Sequence, residues 1–120
     1  TMIDSEAFED CTSLTSVVIP ESVTEIGYKA FLGCSSLKSV VINGKIKIIE
    51  EHTFESCTAL ESITLPAGVK EIYDNAFEGC TSIKAINVPA KKKDYYANLL
   101  PEELHSLIVE IEPVKKSKKK

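Results

Sequence analysis

The side chains of this 120-residue chain that could do chemistry are four cysteines, two histidines and a set of carboxylates. Cys11, Cys34, Cys57 and Cys80 recur every 23 residues. Thiols can pair, hold a metal or act as nucleophiles. A metal reading needs close ligand spacing, such as Cys-x-x-Cys or a histidine a few residues away. The chain has no Cys-x-x-Cys, and neither His52 nor His105 stands at ligand spacing from a cysteine. Thiols one structural unit apart instead lie above one another, with Cα atoms about 5 Å apart and within disulfide reach. Their Cβ vectors then point the same way, which suits a disulfide poorly. Two readings stay open: four buried free thiols, or one adjacent pair oxidised.

The remaining chemistry is sparse. Gly-x-Ser-x-Gly, His-Glu-x-x-His, a phosphate-binding loop and Gly-x-Gly-x-x-Gly are all missing. Glu50-Glu51 and Glu102-Glu103 are sequence neighbours that face different ways, so they read as solvated surface. His52, between Glu51 and Thr53, reads as a solvated or hydrogen-bonded turn residue. The expectation is no enzyme, no cofactor and no metal. Charge narrows the partners further. All 14 basic residues are Lys, and five of them crowd the last six positions. Residues 1–113 keep nine Lys against all 18 acids, a charge of −9. An acidic body argues against nucleic acid, which needs a basic face. Without Arg, the best fork for phosphate and carboxylate is missing too. No run reaches the ~18 apolar residues of a membrane span, and no signal-peptide pattern opens the chain.

What positions the cysteines is a repeat. Phe8, Phe31, Phe54 and Phe77 share the cysteine interval. So do Leu14, Leu37, Leu60 and Ile83, then Val17, Val40, Ile63 and Ile86, then Ile19, Ile42, Leu65 and Val88. Val23, Ile46 and Val69 follow, then Ile26, Ile49 and Ile72. Ala7, Ala30, Thr53 and Ala76 precede the Phe column. A unit this short cannot bury its apolar side chains alone; stacked on copies of itself it can, each column becoming a ladder. Leu-x-x-Val-x-Ile reads as a short strand whose Val and Ile point inward, and successive strands pair in parallel. Pro20, Pro66 and Pro89 end the strands because proline has no N–H to donate, and Asn43-Gly44 takes that place in the second unit. Val23-x-x-Ile26 reads as a second extended piece, and Ala-Phe-x-x-Cys as one helical or 3₁₀ turn.

The pattern Ala-Phe-x-x-Cys-x-x-Leu-x-x-Val-x-Ile-Pro-x-x-Val-x-x-Ile closely resembles the BspA-like leucine-rich repeats, over residues 3–89. Other leucine-rich types continue after the strand with an Asn or Cys ladder, where this chain has Ser22, Lys45 and Gly68. The resemblance implies an α/β repeat solenoid, with a short parallel sheet, helical or 3₁₀ turns and a C-terminal helical cap. It also implies a secreted or cell-surface bacterial protein that binds proteins, with adhesion to extracellular matrix or host surface proteins as the associated role. No residue matches a known binding motif. The alternatives are a structural spacer within a longer array and an intracellular scaffold.

The expected organisation is four repeats over 1–90, the first truncated; a cap over 91–113; and a disordered Lys-rich tail over 114–120. Ile3 aligns with Ile26, so the chain starts inside a unit. That reads as a fragment of a longer array, whose signal or anchor lies upstream and whose bare end offers a surface for self-association. In the cap, Asp94 is the expected N-cap of a helix Tyr95–Leu100, and Pro101 opens a second. Leu104, Leu107, Ile108 and Ile111 are expected to cover the last repeat. The outward strand columns supply the candidate ligand face: Ser16, Ser39 and Ser62, beside Val18, Val41, Thr64 and Asn87.

Overall fold

The 23-residue period returns as hydrogen-bond register in the computed structural model, which describes residues 2–43 and 45–111. The described residues form nine strands: β1 (Met2–Ile3), β2 (Ser16–Ile19), β3 (Glu25–Ile26), β4 (Ser39–Ile42), β5 (Ile48–Ile49), β6 (Ser62–Thr64), β7 (Glu71–Ile72), β8 (Ala85–Pro89) and β9 (Ile108–Ile111). Five of them make one all-parallel sheet in the order β2-β4-β6-β8-β9. Val17, Val40, Ile63 and Ile86 stand directly opposite one another across it, as one apolar column. The second extended piece of each repeat pairs as well, β1 with β3 and β5 with β7.

The third side of each coil is the Ala-Phe-x-x-Cys turn. Its backbone is bonded from repeat to repeat: Phe8, Phe31 and Phe54 N–H groups donate to the Ala30, Thr53 and Ala76 carbonyls at 2.8, 2.9 and 2.8 Å. The rings stack nearly parallel, with centroids 5.1, 5.4 and 5.6 Å apart. Only the fourth copy of this turn is a 3₁₀ helix, Asp74–Phe77. The other three carry a left-handed residue instead, at Glu6, Lys29 and His52. A second left-handed column runs through Asp10, Gly33, Ser56 and Gly79. Such backbone costs a non-glycine residue about 1 kcal/mol or more, and the ladder of inter-repeat hydrogen bonds holds it there.

The C-terminal part departs from the sequence reading in several ways. The helix α1 spans Lys93–Leu99, and Asp94 lies in its first turn without capping it. The Lys93 N–H is met instead by Glu110 Oε2 from β9, at 3.0 Å. The segment after Pro101 is a 3₁₀ helix, Glu102–Leu107. Ile108 and Ile111 belong to a strand, because Ile108-Val109-Glu110-Ile111 is rich in β-branched residues and finds the open edge of β8. Ile108 is buried there, but Ile111 is exposed. Pro89 does not precede the end of the pairing; it is the last residue of β8, opposite Ile111. Tyr96 fills the interior at the end of the stack, and its hydroxyl donates to the Pro66 carbonyl. The Lys-rich tail 114–120, Gly44 and the last two residues of the expected cap lie outside the described residues.

Candidate functional site

Inward and outward residues alternate along each strand, so the sheet displays its odd columns to solvent. Ser16, Ser39 and Ser62 pair in register and continue into Ala85. Val18, Val41, Thr64 and Asn87 form the adjacent column. The structure thus brings all seven sequence-derived face residues into two neighbouring rows on one surface. Val18 is 65% exposed, while Val41, Thr64 and Asn87 are half-buried. Asn87 Nδ2 donates to Thr64 Oγ1 at 3.2 Å, which ties the two polar members together. Val109 extends the row by one strand and is 45% exposed. The sequence reading does not reach it, because it assigns residues 91–113 to a helical cap. The β-branched run Ile108-Val109, with Ile111 beyond Glu110, is the available signal.

Cys34 and Cys57 are buried within the stack, and Cys11 and Cys80 at the ends of the column are half-buried. The four thiols are free. Cys34, Cys57 and Cys80 donate their S–H groups to the Phe8, Phe31 and Phe54 carbonyls of the preceding repeat, at 3.1, 3.2 and 3.1 Å. Burial pushes the Cys57 thiol up to about 12 and Cys80 to about 11, and raises Cys34 as well. A thiol that is buried, protonated and already donating is a poor nucleophile. Its work is to satisfy a turn carbonyl.

One group of polar side chains converges that the sequence reading had kept apart. His52 Nδ1 is hydrogen-bonded to Glu55 Oε1, three residues on in the same turn. Glu78 stands one repeat beyond Glu55, and ligand atoms of the three lie within 4.8 Å of one another. Repeat arithmetic was the missing signal: Glu78 is Glu55 plus 23. Asn75 and Glu78 also line an open cleft of about 430 Å³ between the fourth turn and the cap, together with Cys80, Pro101, Glu103 and Leu104.

A parallel sheet on one side, bonded turns on another and an unbroken Phe and Cys register define a leucine-rich-repeat protein. The chain belongs to the BspA-type family: residues 1–102 match the family model described as "BspA type Leucine rich repeat region (6 copies)". It is similar to a leucine-rich cell surface protein from Faecalibacterium prausnitzii, with 30% identity and a TM-score of 0.71 over 98% of this chain and 31% of that one. A leucine-rich repeat protein from Bacteroides ovatus is similar at 31% identity and a TM-score of 0.72, over 92% of this chain and 28% of that one. A leucine-rich repeat protein from T. pallidum is 30% identical, with a TM-score of 0.51 over 72% of this chain and 51% of that one. No curated protein matches. The chain therefore spans less than a third of the first two structures it resembles.

Proposed function

We propose that this chain is a non-enzymatic protein-binding module of a secreted or cell-surface protein, and that it recognises an extracellular matrix or host surface protein. The observation that carries the reading is the outward face of the five-stranded sheet. It presents Ser16, Ser39 and Ser62 beside Val18, Val41, Thr64 and Asn87 at strand pitch, with Val109 closing the row. Short side chains let a partner approach the backbone, and the exposed valines give it apolar area to bury. The description of the Faecalibacterium relative as a cell surface protein supports the location.

The test is binding of the purified chain to a panel of matrix and serum proteins, with a Val41→Glu, Thr64→Lys double variant as control. Saturable binding lost in the folded variant supports the reading. If the wild-type chain binds no member of the panel, or the variant binds equally well, the face is not a recognition surface for such proteins. The chain then reads as a spacer in an array whose ligand sites lie elsewhere, as its small share of the relatives' length also allows.

A further inference from the structure

We propose that His52, Glu55 and Glu78 form a binding site for one zinc-class divalent cation, on the turn side of the stack and away from the strand face. The donor set is an imidazole nitrogen and two carboxylates, all within 4.8 Å of one another. Two donors on one ion at about 2.0–2.2 Å stand no more than about 4.4 Å apart, so these side chains have only to draw together slightly to share a cation. Such a mixed nitrogen and oxygen set suits zinc and its transition-metal neighbours better than calcium or magnesium, which favour oxygen alone. Three protein donors leave a tetrahedral ion one position for water or a ligand group.

The surroundings favour a cation. Among the described residues, no lysine is ion-paired with Glu55 or Glu78; the partner of Glu55 is His52 itself. His52 is held in place from two other directions. The ring of Tyr28 packs edge-on against it, with centroids 5.8 Å apart. The side-chain amide of Asn75 lies 3.4 Å from its Nε2. Asn75 Oδ1 is buried and has no hydrogen-bond partner. A half-turn of that amide sets Oδ1 opposite Nε2, where it accepts the Nε2–H and leaves Nδ1 bare toward the carboxylates. That is how metal-bound histidines are commonly held, with the far nitrogen donating to a carbonyl or carboxylate. The cation also ties the third repeat to the fourth, since Glu55 and Glu78 stand 23 residues apart.

The experiment is calorimetric titration of the reduced, full 120-residue chain with zinc, repeated with calcium and with cobalt. The expected result is one zinc per chain and no comparable calcium binding. Cobalt should give a visible spectrum without thiolate charge-transfer absorption. His52→Gln and Glu78→Gln should each weaken zinc by about tenfold or more, and Asn75→Ala by about tenfold, as losses around bound metals do. Zinc should also raise the wild-type melting temperature and leave that of His52→Gln unmoved. Unchanged affinity in both His52→Gln and Glu78→Gln overturns the proposal. So does a thiolate cobalt spectrum, which moves the metal to the cysteines, or the absence of zinc binding to a wild-type chain shown by circular dichroism to be folded.

Discussion

Cys57 shows how a reactive residue type becomes a structural one. Its thiol donates to the Phe31 carbonyl, and burial, with the neighbouring Cys80 and Cys34 thiols, pushes its ionisation from 9.0 to about 12. The sign of the linkage follows. Below 9.0 the thiol is protonated in both the folded and the unfolded chain, and its contribution to stability is whole. Above that, the unfolded chain loses the proton first, and stability falls as the pH climbs towards about 12. Urea midpoints measured from pH 8 upward should therefore fall more steeply for the wild type than for Cys57→Ala. Parallel slopes would mean that the folded thiol ionises as easily as the unfolded one. Gly27 makes a second residue-scale case. A Cβ there would lie 2.4 Å from the Ser5 nitrogen and 2.7 Å from its Cα, and backbone cannot swing aside as a side chain does. Gly27→Ala should cost about 3 kcal/mol or more in chemical denaturation, at the upper end of overpacking losses. Gly68→Ala, with nothing within 4 Å but a φ of +87°, should lose only about 1–2 kcal/mol of conformational strain. Equal losses would show that the close approach of the first two coils contributes nothing.

At the scale of elements, each ladder is only as strong as its neighbours on both sides. Phe54 is fully buried between Phe31 and Phe77, whereas Phe8 has one ring neighbour and is 39% exposed. Phe54→Ala should therefore cost about 3–5 kcal/mol, and Phe8→Ala distinctly less; equal costs would refute a stack that is tightest in the middle. Tyr96 closes the far end, and Tyr96→Phe should cost about 1–2 kcal/mol because the Pro66 carbonyl loses its donor. The ladders were legible in the sequence because burial acts on side-chain type, and Val, Ile, Phe and Cys recur in fixed columns. The left-handed turns were not. Glu6, Lys29 and His52 carry no glycine signal, and their backbone is set by bonds to the next repeat, such as Lys29 N–H to the Glu51 carbonyl at 3.3 Å. The strand β9 was hidden for a related reason. Ile108-Val109-Glu110-Ile111 is too short to declare itself, and what makes it a strand is the unpaired edge of β8, a partner 22 residues earlier in the chain.

The whole molecule presents chemically different sides. The turn side gathers His52, Glu55 and Glu78, while the sheet side carries uncharged columns from Ser16 to Val109. The seven face residues were legible because period-2 alternation and the repeat together fix which side chains leave the core. Val109 and the His52 group were not, since both depend on how separate segments meet in space. This division bears on how a partner is held. The chain to residue 113 has a charge of −9, yet the two outward columns carry no charge, and the flanking Lys38, Glu61 and Lys84 alternate in sign. Contact through those columns rests on apolar burial and shape. Its affinity should change less than about threefold when ionic strength is raised about tenfold, although exposed charges would by then be screened over a few ångströms. Surface plasmon resonance against the matrix protein that binds can measure this at each salt concentration. A steep loss of affinity with salt would place the contact on the acidic flanks instead, and Val41→Glu would then weaken binding no more than a distant surface change.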